Sequence, residues 1–190
     1  MIISAAHILS INEKYNLIEN LAERELNPEG TGFDLRAGEI YRLKSGGFLG
    51  VTERKTSEVE LVAKVAETLK KITLNPGEYF LVKTMEKVNL PAEKIIVHPG
   101  SEPIYLMAHV YPRRTLQHCG VLLLVAKTDP GYYGELTFGL VNLAQFPFEL
   151  ELGARIASLV FHEVYGELSR AYGGQWKGGR VATDKLEKQI

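Results

Sequence analysis

Aspartate is scarce in this chain: of 23 acidic residues, 20 are Glu and only Asp34, Asp129 and Asp184 are Asp. A chain that uses Glu for its solvated acids places the shorter carboxylate where reach and angle matter, which draws attention to Asp34 and Asp129. Asp also starts turns, so that plain role stands beside any chemical one for Asp129. Cysteine is scarcer still. The single Cys119 excludes a disulfide framework within the chain and a cysteine-rich zinc site, and it suits a reducing cytoplasm. The five His residues show no ligand spacing and read as structural. No apolar run approaches the roughly 20 residues of a membrane helix, and the N-terminus does not resemble a signal peptide. A net charge of −1 leaves no electrostatic footprint for nucleic acid or an anionic membrane. The expected setting is cytoplasmic, with no nucleic acid and no membrane as partner.

What is present is mostly strand pattern. The 190 residues suffice for one domain, 1–190, with a real core. Residues 33–43 alternate as a half-buried strand, and strands are expected over 78–83, 94–98, 104–111, 148–152 and 156–162. Leu122-Leu123-Leu124-Val125-Ala126 is a continuous apolar run, expected as a strand buried on both faces. Ser4 opens a short helix over 4–10. Ser57-x-x-Glu60 is a capping box, followed by Leu61, Val62, Val65, Ala66, Leu69 and Ile72 at helical spacing, which predicts an amphipathic helix over 57–71. The expected fold is all-β, a distorted jelly-roll or β-barrel with that one main helix.

Three stretches carry chemistry. Asp129-Pro130-Gly131-Tyr132-Tyr133-Gly134 is a turn in which Pro presets φ and Gly permits positive φ. It leads into a strand with Leu136, Phe138 and Leu140 on one face and Glu135, Thr137 and Gly139 on the other. Arg113-Arg114-Thr115 sets two guanidiniums beside a hydroxyl, a combination that matches phosphate oxygens, although solvated loop arginines are common. Residues 172–180 interleave Tyr172, Gln175, Trp176, Lys177 and Arg180 with glycines. A flexible linker has that glycine content but seldom those aromatics and cations, so a lid over an anion is the alternative.

In order along 30–180, these stretches resemble the dUTP diphosphatase and dCTP deaminase superfamily, nearer its deaminase branch. Gly32-Phe33-Asp34-Leu35-Arg36-Ala37 is similar to the first motif, and Pro112-Arg113-Arg114-Thr115-Leu116 with Gly120 to the second. Asp129-Pro130-Gly131-Tyr132-x-Gly134 through Asn142 is similar to the substrate hairpin, and Tyr172-x-Gly174-Gln175-Trp176-Lys177-Gly178 to the tail. Between them, Leu74-x-Pro76-Gly77-Glu78 through Leu90-Pro91 matches the central strands. The resemblance implies a homotrimer with sites between subunits, a pyrimidine deoxynucleoside triphosphate (dUTP or dCTP) as substrate, and Mg²⁺ bound through the triphosphate, with Asp34 holding it through water. It further implies Asp129 and Arg113 as catalytic groups, with Asp34, Arg114, Thr115, Tyr132, Gly139, Tyr172, Gln175 and Lys177 binding substrate and residues 170–190 covering it.

Departures from the pattern bear on the reaction. The deaminase needs a Glu ten residues after the hairpin Asp, and here that position is Gly139. Glu135 projects from the same face but lies roughly 13 Å away at about 3.3 Å per residue. His118 stands where the deaminase has Arg, and Gln175 and Gly179 stand where its tail has Lys and Gln. The diphosphatase pattern is imperfect too: Arg114 replaces its second-motif Ser, and Ser158 replaces the Gln after Arg-Ile-Ala. The reading is hydrolysis of dUTP to dUMP and diphosphate. Deamination of dCTP and non-catalytic nucleotide binding are the alternatives. The missing side chain of Gly139 is expected to leave open space beside the base.

Overall fold

A computed structural model describes residues 1–65 and 71–189 of the chain. Its long strands are β2 (Gly32–Leu43), β7 (Tyr79–Asn89), β8 (Tyr105–Pro112), β11 (Tyr133–Asn142) and β13 (Arg155–Val164), where apolar residues alternate with polar ones. Shorter ones are β1 (Ile18–Glu19), β3 (Phe48–Leu49), β4 (Glu53–Lys55), β5 (Val59–Lys64), β6 (Lys71–Leu74), β9 (Val121–Leu124), β10 (Lys127–Thr128), β12 (Phe148–Glu151) and β14 (Glu187–Lys188). The α-helices are α1 (Ala5–Tyr15) and α2 (Arg114–His118).

One antiparallel sheet of nine strands runs β10-β8-β13-β2-β7-β11-β9, with β1 added to β7 and β5 to β2. Strand β2 is where it curls. Its first half pairs with β13 and its second with β7 and β5, and bulges interrupt the register in each pairing. The concave face buries Phe33, Leu35, Val82, Phe138, Leu140 and Phe161. Glu86 also sits on this face, fully buried. It accepts from the Arg36 backbone N–H at 2.7 Å and from Nε at 2.6 Å. Burial pushes its carboxyl up, and the Arg36 bonds pull against that rise.

The all-β expectation holds, while several elements differ. The helix predicted over 57–71 is strand β5 in its first part. Val59 and Val62 are β-branched, and the free edge of β2 offers a ladder that buries Ala63. Residues 66–70 of that prediction lie outside the described residues. The longer helix is instead α1, capped by Ser4, whose hydroxyl accepts from His7 N at 3.3 Å. The run 122–126 is not buried on both faces. Strand β9 is an edge strand with Val121 and Leu123 inside, while Leu122 and Leu124 are 42% and 49% exposed. Around 94–98 the backbone makes only the isolated bridge Ile95–Ile104 in place of the expected strand, and Arg114 and Thr115 lie on α2.

The convex face carries charge where it meets water. Glu39 accepts from the Tyr41 hydroxyl, from Lys64 Nζ at 2.9 Å and from Lys83 Nζ at 3.3 Å. Burial alone would raise its pKa, but these bonds and charges together outweigh it and hold the carboxyl at about 2. The folded value lies below the unfolded one, so this contribution to stability is complete above the ordinary Glu value of 4.5 and fades as pH falls towards 2. Urea titrations of wild type and Glu39→Gln are expected to differ at pH 6 and to converge towards pH 2. A gap independent of pH would mean that Glu39 acts by packing alone.

Candidate functional site

The turn after Asp129 is sewn to the end of β7: Gly131 N donates to Leu90 O at 2.7 Å and Leu90 N to Tyr132 O at 2.9 Å. Gly131 takes φ +96° and Gly134 φ +134°, backbone that L side chains rarely adopt. The absence of side chains serves a second purpose, since the C-terminal segment crosses there. Tyr172 N donates to Pro130 O at 2.7 Å and Gly178 N to Tyr133 O at 2.6 Å. A Cβ on Gly131 would stand 2.8 Å from Tyr172 O, and one on Gly134 would stand 2.7 Å from Gly178 C. Farther along, Thr183 and Thr56 exchange backbone N–H to hydroxyl bonds of 2.8 and 2.9 Å, and β14 pairs with β4. Arg180 bonds Glu187 at 2.6 Å and Asp184 at 3.2 Å.

Between hairpin, segment and sheet lies a cavity of about 470 Å³. Its floor is the convex face of β7 and β11 at Tyr79, Leu81 and Thr137, and Tyr172, Trp176 and Arg180 also line it. Tyr132 and Asp129 line it from the hairpin. Tyr132 is 7% exposed, donates to Glu135 O at 2.6 Å and packs on Tyr172 with ring centroids 5.9 Å apart. Its ionisation is pushed up by burial first, then by Tyr172 and Glu135. Among the described residues lining the cavity, Asp129 is the one carboxylate. Lys127 Nζ holds its Oδ1.

A bulge shapes the floor. Leu136 N leaves the β-ladder and donates to Thr84 Oγ1 at 3.0 Å, where the β7–β11 register shifts between Glu135 and Thr137. The expected open space at Gly139 is not there. A Cβ on Gly139 would overlap the Tyr79 hydroxyl, lying 2.9 Å from Tyr79 Cζ and 3.0 Å from Leu124 Cδ1. The glycine makes room for a tyrosine from the neighbouring strand.

Asp34 and Arg113 meet elsewhere, in a polar cavity of about 580 Å³ with Arg24, Arg155 and Ser158. Arg113 Nη1 donates to both Asp34 oxygens at 2.9 and 3.0 Å, Arg155 Nη1 to Oδ2 at 2.7 Å, and Arg24 Nη1 to Oδ2 at 3.5 Å. Glu25 and Glu29 line the same cavity and lie 3.7 and 3.9 Å from Arg24, so the cavity's three guanidiniums face three carboxylates, with Arg113 and Arg155 both turned to Asp34. The two clusters are apart. Thr128 pairs with Ala108, and the five strand residues from there to Arg113 span roughly 17 Å.

Of the remaining expected residues, Arg114 and Thr115 are exposed on α2, and Lys177 is exposed. Gln175 has both amide atoms buried without a partner among the described residues. Trp176 and Arg180 belong to the expected lid, whereas Tyr79, Thr137, Arg24 and Arg155 were not among the expected site residues. Arg155 begins the Arg-Ile-Ala stretch and was findable there, whereas Tyr79 emerges only from strand register. No group of three His, Cys, Asp or Glu able to hold a metal occurs among the described residues. No helix among them is long and apolar enough to cross a membrane.

The curled all-β sheet is a dUTPase-like fold. A 2′-deoxycytidine 5′-triphosphate deaminase from Agrobacterium tumefaciens superposes with a TM-score of 0.60 at 16% identity, over 84% of this chain and 47% of that one. The chain belongs to the dCTP deaminase-like family, whose family model matches residues 2–164. A dCTP deaminase of Pyrococcus furiosus is 31% identical over 173 residues, 90% of this chain and 92% of its own. A probable deoxyuridine 5′-triphosphate nucleotidohydrolase of Aeropyrum pernix is 33% identical over 150 residues, 77% of this chain and 82% of its own.

The seam between hairpin and C-terminal segment has a direct test. Gly134→Ala places a methyl against Gly178 and strains a positive φ, so it should cost about 1–3 kcal/mol. Limited proteolysis should cut 170–180 faster in this variant, whereas unchanged cleavage would mean that the seam does not hold the segment down.

Proposed function

We propose that this protein hydrolyses dUTP to dUMP and diphosphate. The observation that carries the reading is that Asp129 is the one carboxylate lining the hairpin cavity among the described residues, while position 139 has no side chain and lies under a neutral phenol. With Oδ1 held by Lys127, Asp129 Oδ2 is left to orient a water and take its proton. The water oxygen bonds to the α-phosphorus as the α–β bridging bond breaks, and the diphosphate departs with the electron pair. Guanidiniums such as Arg113 neutralise the charge on that leaving group.

Mg²⁺ enters as part of the substrate, the Mg–dUTP complex, since such ions are commonly held by phosphates and water. Asp34 does not fit as a holder of it, because its oxygens are bonded by Arg113, Arg155 and Arg24. A gap of roughly 17 Å of strand between the Arg113 cluster and the hairpin supports sites shared between copies, in a homotrimer. Arg114 and Thr115, exposed on α2, then face a neighbour's phosphates. Residues 1–190 form one domain, in which 170–190 with Tyr172, Gln175 and Lys177 cover the nucleotide, in the cytoplasm.

Deamination of dCTP is the second reading, favoured by the names of relatives such as the P. furiosus protein. It requires a general base over the ring, a role that Asp129 must fill at the phosphate end. Incubation with dUTP, dCTP and Mg²⁺, followed by separation of products, decides: dUMP and diphosphate support hydrolysis, dUTP from dCTP supports deamination, and neither product means binding alone. Asp129→Asn should abolish turnover while nucleotide binding stays within about tenfold. Full activity in that variant would remove Asp129 from the chemistry.

A further inference from the structure

Two hydroxyls on the cavity floor have no partner among the described residues. Thr137 Oγ1 is buried and makes no hydrogen bond among the described residues. Tyr79 lines the same cavity; its hydroxyl stands where a Gly139 side chain would be, and none of the described residues bonds it. Tyr79 pairs with Val141 in the β7–β11 ladder, and Val141, Gly139 and Thr137 share one face of the strand. The two hydroxyls therefore flank Gly139 on a single surface. A buried hydroxyl is normally satisfied by protein, water or ligand, so Thr137 Oγ1, with the Tyr79 hydroxyl on the same surface, marks a place for a ligand's polar edge.

The surroundings say which part of a ligand. Leu43, Leu81, Val181, Tyr172 and Trp176 make the cavity walls largely apolar, and Arg180, the cation on the C-terminal side, is already bonded to Glu187 and Asp184. Neutral hydroxyls among apolar and aromatic walls suit a flat, uncharged ring with polar edge atoms, and are poor company for phosphates. We propose that Tyr79 and Thr137 read the edge of the pyrimidine base, with the Tyr79 hydroxyl donating to a ring carbonyl. This rests on the cavity being the nucleotide site. Burial pushes the phenol's ionisation up, so it remains an O–H donor through neutral pH. Towards the C4 carbonyl of uracil the hydroxyl donates; towards the C4 amino group of cytosine it must turn to accept, which leaves its own proton without an acceptor among the apolar walls and disfavours that base.

The test uses calorimetric binding rather than turnover. Tyr79→Phe keeps the ring over Gly139 and removes only the hydroxyl, and Thr137→Val keeps the shape. Titrations employ dUMP, dCMP and the non-hydrolysable α,β-imido analogue of dUTP. Tyr79→Phe should weaken dUMP and the dUTP analogue alike, by about tenfold, while dCMP changes less, so that discrimination between the bases falls. Thr137→Val should weaken dUMP and the analogue equally. Unchanged dUMP affinity in both variants, or a loss confined to the triphosphate analogue, overturns the base-reading pair alone. Failure of the wild-type protein to bind any of the three overturns the nucleotide-site reading beneath it.

Discussion

The main-chain seam between hairpin and C-terminal segment is the contact on which the cavity depends. The Tyr172–Pro130 and Gly178–Tyr133 bonds bring the segment down over the convex face of β7 and β11. Without them Thr137 and Tyr79 would stand on an open sheet surface, in water, where a single hydroxyl discriminates little between ligands. The seam needs backbone on backbone, and only glycine permits that approach at Gly131 and Gly134. The β14–β4 pairing and the Thr56–Thr183 exchange anchor the far end, so the segment is a docked cover rather than a free tail.

Charge is divided between two places. In the hairpin cavity Asp129 is paired with Lys127, and Arg180 with Glu187 and Asp184, while Arg24, Arg113 and Arg155 gather around Asp34 at the junction of β2, β8 and β13. Asp34 holds the guanidiniums in place before any anion arrives, which lowers the ordering cost of binding one. The proposed assembly of copies is what brings the two halves onto one nucleotide.

Much of this was legible in the sequence because strand periodicity and turn chemistry are local. The alternation of 33–43 and the Pro-Gly turn after Asp129 needed no tertiary information. The helix predicted over 57–71 failed because the β-branched Val59 and Val62 suit a strand at least as well as a helix, and the open edge of β2 decided between them. The double burial expected for 122–126 failed because nothing local says whether a strand lies at an edge. Gly139 was noticed as a gap, but its filling comes from Tyr79, 60 residues earlier, through a register that two bulges on neighbouring strands adjust. Asp34 was seen without its true partners: Arg36, its near neighbour, goes to Glu86 instead.

The central claim is that one nucleotide draws its carboxylate and its guanidiniums from different copies of this chain. Subunit complementation measures that directly. Asp129→Asn and Arg113→Ala proteins, each inactive on dUTP alone, are mixed in equal amounts, unfolded and refolded together, and assayed for diphosphate release. With sites shared between neighbours, about one quarter of the sites in random mixed assemblies are intact, so activity should return to about that fraction of wild type. A mixture as inactive as its two components would place the complete site within one chain and contradict the account.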